Sequence, residues 1–211
     1  MAYDFEEQEQ IDAFKAWWTQ YGTIAMLAVI ACFLTIAAFQ GWRYYRAQQS
    51  ERAATLFTQL DQAERANEHK KVRDIASQLI GSYGSTHYAG MAALSAAKAG
   101  FETGELDDAR KNLQWAMEKA REEQMRDVAR LRLAGIFLDE KKYDEALKLL
   151  STKPGDAFVA LYSDLRGDVL AAQSKNAEAR VEYQAALDKS DPGSQYRRLV
   201  ELKLDALGEA K

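Results

Sequence analysis

The chain has 211 residues, 47% of them hydrophobic, with only two prolines. This length allows one ordinary domain with an appendage, and the abundance of alanine, leucine and long charged side chains favours helix throughout. The formal net charge of −4 lies entirely in residues 1–21, so the remainder is neutral and lacks the basic surface that marks nucleic-acid-binding proteins.

The first predicted element after the acidic tail is a membrane-spanning helix. No charged residue occurs between Lys15 and Arg43, and about twenty helical residues span the roughly 30 Å of a hydrocarbon core. A cleaved signal peptide is the alternative, but its start is normally basic and its apolar core shorter. We predict a tail at residues 1–21, a span at 22–42 and a helical domain at 43–211. The predicted membrane-interface residues are Trp17, Trp18, Trp42, Arg43, Tyr44, Tyr45 and Arg46.

The flanking charges leave the orientation of this span open. Only one cation, Lys15, precedes the span, whereas Arg43, Arg46 and Arg52 follow it closely. The positive-inside rule therefore favours a C-terminal domain in the cytoplasm. Long domains, however, are translocated largely regardless of flanking charge, and the difference here is only two residues.

The rest of the chain is predicted to be a helical repeat. No glycine or proline occurs between Gly41 and Gly81, so we expect the first helix to continue to about Arg65. Beyond it, three segments align with equivalent alanines that are 37 and 33 residues apart, and a fainter copy places Ile75 a further 34 residues upstream. The aligned alanines are Ala109, Ala146 and Ala179.

This spacing resembles the tetratricopeptide repeat (TPR), whose unit is about 34 residues of paired helices. Small residues allow the helices of a pair to approach, and large residues of the second helix fill the core between them. The small residues are Ala97, Ala134 and Gly167, and the large ones are Leu79, Leu113, Leu150 and Tyr183. We predict an all-α fold of three to four helix pairs, closed by a capping helix over Ser194–Leu207. A non-repetitive helical bundle is the alternative.

The sequence offers no catalytic centre. His69 and His87 have no partner at the spacing of a metal site or a catalytic triad, and the single Cys32 lies inside the predicted span. Carboxylate pairs such as Asp107 and Asp108 stand at helix starts, where the helix dipole accounts for them. We predict no enzymatic activity, no metal and no cofactor.

Protein binding is the predicted function. In a TPR array the first helix of each pair lines the concave face, where apolar side chains hold a helix or an unfolded segment. The alternative is that several of them are covered by the neighbouring repeat or by the first helix. The groove residues expected from this register are Phe57, Leu60, Met91, Leu94, Phe101, Val128, Leu131, Leu138 and Leu161.

Three features occur together along the chain: the tail YDFEEQEQIDAFKAWWTQYG, the exit GWRYYR after the span, and the repeats from about residue 50. Together they resemble the YfgM family of bacterial inner-membrane proteins, which are ancillary subunits of the SecYEG translocon. The resemblance implies a single-pass protein of the inner membrane, with a cytoplasmic tail and a periplasmic TPR domain.

The same resemblance implies a set of partners. They are the translocon and PpiD, a membrane-anchored chaperone that resembles peptidyl-prolyl isomerases. The expected role is that of a co-chaperone for secreted and outer-membrane client proteins as they emerge into the periplasm. Some family members are linked to stress responses through a response regulator, so a regulatory TPR protein is the second hypothesis.

Overall fold

The computed structural model describes the backbone of residues 2–208 and the side chains of residues 10–208. Over these residues the fold is all-α, as predicted, and a one-turn 3-10 helix at Asp156–Phe158 precedes α7. The helices are α1 (Ala2–Arg65), α2 (His69–Tyr83), α3 (His87–Glu102), α4 (Leu106–Lys119), α5 (Glu123–Asp139), α6 (Tyr143–Leu150), α7 (Val159–Ala172), α8 (Asn176–Asp188) and α9 (Gln195–Ala206). The chain divides into two compact units, Met1–Gln49 and Ser50–Lys211, and α1 contributes to both.

The first unit is the N-terminal part of α1. It contains a segment that is long and apolar enough to cross a membrane, and its side chains are exposed. Phe33, for example, is 69% exposed, whereas the core helix of a soluble protein would bury such a residue. At the C-terminal end of this segment the Arg46 guanidinium lies 4.0 Å from the centroid of the Trp42 ring. Lipid is the environment that suits this exposed apolar surface.

The second unit is an array of helix pairs. The last turns of α1 pair with α2, and α3 with α4, α5 with α6 and α7 with α8 follow, each pair joined by a short turn. The three aligned alanines, Ala109, Ala146 and Ala179, are fully buried at equivalent places in the second helices. The prediction of three to four helix pairs is therefore confirmed, with four pairs present, and the array is not an irregular bundle.

The turn inside each helix pair repeats the same backbone conformation. Its left-handed residue is Asn67, Gly104, Lys141 or Ser174, with φ from 54° to 78°. In all four turns the next amide donates to the carbonyl five residues earlier, over 2.7 to 2.9 Å. This is the Schellman motif, which satisfies the last carbonyls of a helix and reverses the chain. From Gly104 onwards the register read from side chains is therefore also a repeat of backbone geometry. The first interval is 37 residues and not 34, so Val72, and not Ile75, stands in the place of Ala109.

Small residues allow the first and second helices to touch. A Cβ added at Gly167 would lie 2.5 Å from the ring of Tyr183, and Ala97 and Ala134 are buried at the equivalent places. The large residues predicted for the core, among them Leu113 and Leu150, are buried as well. These contacts confirm the predicted pattern of small and large residues.

The last helix, α9, closes the array, as predicted for Ser194–Leu207. Ser194 caps it, because its Oγ accepts a hydrogen bond of 3.1 Å from the amide of Arg197. Val200 is fully buried against the core of α7 and α8, whereas Leu202 faces solvent. The cap thus covers the open end of the last pair.

Candidate protein-binding groove

The structure places most of the predicted groove residues against their neighbours. Leu60 is fully buried in the core that α1, α2 and α3 share, so its side chain belongs to that core and not to an open surface. Phe57 packs on the same core, with its ring 5.6 Å from that of Tyr88. Five others are half-buried: Met91, Leu94, Val128, Leu131 and Leu138. Of these, Leu94, Leu131 and Leu138 pack on cores that adjacent repeats share.

Two of the nine residues present large apolar surface to solvent. Phe101 in α3 is 53% exposed and Leu161 in α7 is 38% exposed. Phe101 stands beside an apolar pocket of about 270 Å³ that opens between α3 and α5, whereas Leu161 is not one of its lining residues. The pocket is lined by Ala97, Lys98, Phe101, Leu113, Arg132, Gly135, Ile136 and Asp139.

Of these lining residues only Phe101 belongs to the predicted set. Leu113 and Ile136 are buried core residues, and the others are small or charged, whereas the set held only large apolar side chains. The repeat register nevertheless contains them: Lys98 and Gly135 are 37 residues apart, the same interval that separates Ala109 from Ala146. The repeat register therefore identified the correct faces of α3 and α5. The restriction to large apolar residues removed the small and charged positions that shape the pocket.

The two cations of the pocket, Lys98 and Arg132, differ in their partners. The Lys98 Nζ lies 2.9 Å from the Glu64 Oε1, and this hydrogen bond holds the pKa of Glu64 below its usual range. The Arg132 guanidinium is exposed and donates to the backbone carbonyl of Leu94 over 3.3 Å. Among the side chains that the structure describes, it has no carboxylate partner. Arg132 is therefore available to pair with a carboxylate from outside.

The most deeply buried ionic cluster has a structural role. Asp127 at the start of α5 is only 2% exposed, and its Oδ1 lies 2.8 Å from Arg130 and 3.1 Å from the Tyr162 hydroxyl. Its Oδ2 accepts from the amide of Gly155 over 3.0 Å. Burial raises the pKa of Tyr162 to about 12, so the phenol stays protonated and donates to Asp127. We call this cluster the Asp127 clamp; it joins α5, the loop before α7, and α7.

A second cluster closes the groove at the last repeat. Lys203 of α9 reaches back to α7, with its Nζ 2.8 Å from both Asp164 and Asp168. Burial works against the ammonium, but the two carboxylates outweigh it, and the pKa of Lys203 is raised. Asp168 lies 33 residues after Gly135, at the same place in the register. The capping helix therefore occupies at α7 the face that stays open at α5.

Replacing Lys203 with glutamine is expected to lower the free energy of unfolding by about 2 kcal/mol at pH 7, because two adjacent carboxylates lose their cation. Burial already raises the pKa of Asp164. Its ionised form therefore disfavours the fold above that pKa, and the loss should shrink as the pH falls from 7 towards 4. Thermal unfolding at several pH values measures this. Lys70→Gln at an exposed site is the control, and a loss independent of pH would contradict the prediction.

Comparison with known proteins covers almost the whole chain. The family model described as a tetratricopeptide repeat-like domain matches residues 15–209. Three curated relatives carry the name "Ancillary SecYEG translocon subunit". The protein of Neisseria gonorrhoeae is 32% identical over 98% of this chain and all of its own length. That of Haemophilus influenzae is 29% identical over 98% and 100%, and that of Escherichia coli K12 is 28% identical over 95% and 96%. No solved structure matches the chain.

Proposed function

The chain belongs to the YfgM family of ancillary SecYEG translocon subunits, and from this premise we propose that it is a non-enzymatic adaptor of the inner membrane. The observation that carries the proposal is the extent of the similarity, which includes the membrane segment as well as the repeats. A protein that shared only a TPR array would match from about residue 50 onwards. Among the side chains that the structure describes, no three potential metal ligands come together.

The proposed arrangement has residues 1–21 in the cytoplasm, a span at residues 22–42 and the repeat domain of residues 43–211 in the periplasm. Trp42 and the stacked Arg46 would then lie at the outer headgroup level, which suits an aromatic ring beside a cation. Anchoring a weak binder beside the translocon exit raises its effective concentration for emerging chains. We propose that it acts there with a PpiD-like chaperone on secreted and outer-membrane client proteins.

Protease access tests the orientation directly. In spheroplasts, added protease should digest the repeat domain of the full chain, and in inverted membrane vesicles the domain should be protected. A tag at the C-terminus gives the readout by immunoblot, and a cytoplasmic protein inside the spheroplasts is the control for intactness. The opposite pattern would place the domain in the cytoplasm and overturn the proposed arrangement.

Cross-linking in intact membranes tests the partners. We expect the repeat domain to be captured with SecYEG and with a PpiD-like chaperone. A regulatory TPR protein that controls a response regulator is the second candidate, and the excess of arginines after the span favours it, because they favour a cytoplasmic domain. Capture of a response regulator alone, without either membrane partner, would replace the adaptor by this second candidate.

A further inference from the structure

Gly135 lies in the middle of α5, where the packing of the chain does not require a glycine. A glycine inside a helix costs about 0.5–1 kcal/mol relative to alanine. Gly90, Gly100 and Gly167 are accounted for by close neighbours, because an added Cβ would lie 2.5 to 3.1 Å from another part of the chain. A Cβ added at Gly135 would meet no heavy atom within 4 Å. The missing side chain therefore leaves space that the folded chain itself does not use.

This space is part of the pocket between α3 and α5. Leu113 and Ile136 are buried below it, and the Phe101 ring stands beside it with 53% of its surface exposed. The volume of about 270 Å³ is below the range of about 300–1,000 Å³ that is typical of sites for small organic ligands. An apolar pocket of this size suits one large side chain of another polypeptide better than it suits a cofactor.

The charges at the pocket limit what that polypeptide can be. Arg132 and Asp139 lie three residues before and four residues after Gly135, so all three share one face of α5. Lys98 is already paired with Glu64, whereas Arg132 and Asp139 have no ion-pair partner among the described side chains. The pocket therefore has an unpaired cation at one end and an unpaired carboxylate at the other. Charge complementarity favours a segment that carries both signs.

We propose that this pocket binds a leucine- or phenylalanine-sized side chain of a partner polypeptide, with an acidic residue beside it for Arg132 and a basic residue on its other side for Asp139. The inference rests on the proposed function, because it assumes that the repeat domain binds polypeptide segments. It adds the place of binding and the kind of segment that is selected. It also assigns a role to Gly135, which is to keep the pocket open.

The test uses the full chain in lipid nanodiscs and fluorescein-labelled peptides of twelve residues, followed by fluorescence anisotropy. One peptide has a central leucine between a glutamate and a lysine, a second replaces both charges with glutamine, and a third replaces the leucine with serine. We expect the first peptide to bind most tightly and the serine peptide to bind at least about 10-fold more weakly. A single buried leucine side chain accounts for a difference of this order.

Gly135→Leu is the decisive variant, because its side chain would fill the pocket from within. It should weaken the binding of the first peptide at least about 10-fold while keeping the helix content of the wild type. Gly81→Leu is the matched control, since Gly81 also has open space around its Cβ but lies in α2, away from the pocket. Arg132→Gln should remove the advantage of the charged peptide over the glutamine peptide.

Two results would overturn the inference. The first is that the wild type and Gly135→Leu bind the first peptide equally well. The second is that the wild type does not prefer the two leucine peptides to the serine peptide, or binds none of the three. Co-purification of the wild-type chain with SecYEG is measured separately. If the wild type co-purifies and the peptides fail, the pocket is wrong and the adaptor stands. If co-purification fails, the proposed function is wrong, whatever the peptides show.

Discussion

Replacing Asp127 with alanine is expected to lower the free energy of unfolding of the repeat domain by about 3–5 kcal/mol, the range for breaking a buried charge pair. The loss is large because one carboxylate serves three donors in the Asp127 clamp. Without it, the buried Tyr162 hydroxyl, the half-buried Arg130 and the Gly155 amide all lose the carboxylate that accepts from them. An unsatisfied buried polar group costs about 1–3 kcal/mol, so these losses accumulate.

Urea unfolding of the full chain, followed by circular dichroism, measures this loss. Asp127→Asn keeps an acceptor oxygen but not the charge, and it should fall between the wild type and Asp127→Ala. Asp74→Ala removes an exposed carboxylate from α2 and should change the stability by less than about 0.5 kcal/mol. Hydrogen exchange should show faster exchange of the Gly155 amide in Asp127→Ala. A loss below about 1 kcal/mol would mean that the clamp does not hold α5 to α7.

Gly167→Ala and Gly135→Ala are the same substitution in neighbouring first helices, and we expect opposite effects. At Gly167 the new methyl would lie 2.5 Å from the Tyr183 ring. That ring cannot swing aside without losing the hydrogen bond of 2.9 Å from its hydroxyl to Asp168. We expect a loss of about 3 kcal/mol, at the upper end for overpacking. Gly135→Ala meets open space and should gain about 0.4–1 kcal/mol from reduced backbone entropy of the unfolded chain.

Thermal unfolding of both variants beside the wild type checks the signs. Combining Gly167→Ala with Tyr183→Leu should restore part of the loss, because the smaller side chain makes room for the methyl. The two changes should therefore be non-additive, as expected of residues in contact. Equal effects of the two glycine substitutions, in either direction, would show that packing does not distinguish the two positions.

The sequence was sufficient for the repeat architecture but not for the geometry of its turns. The buried alanines recur at 37 and 33 residues, and this interval alone gave the helix pairs and the cap. The left-handed turn residues recur at the same interval, yet only Gly104 among them is a glycine. Lys141 and Ser174 are not residue types that indicate a left-handed conformation. Once the register is known, however, their positions are obtained by counting one and two repeats on from Gly104.

The groove was less predictable, because the register of a helix gives the direction of each side chain but not its distance from the neighbouring helices. It placed Leu60 and Phe101 on the same face, but Leu60 is buried in the core that α1, α2 and α3 share, whereas Phe101 is 53% exposed. A pocket is also defined by side chains that are small, such as Gly135, and a search for large apolar residues passes over them. The ion pairs of the site join residues far apart in sequence, such as Glu64 with Lys98, so only the folded chain reveals them.

The shared conformation of the four turns has a consequence for how the domain folds. Each pair of helices is closed by hydrogen bonds that span five residues, and most packing contacts join helices adjacent in sequence. Such a fold has low contact order, which is typical of chains that fold in microseconds to milliseconds. A chain that emerges N-terminus first can therefore complete its early repeats before the later ones appear.

The two ionic clusters form later. The Asp127 clamp must wait for Tyr162, 35 residues downstream, and the Lys203 cluster for the last helix. The packing of the last repeats should thus be completed only when the C-terminal end of the chain has emerged.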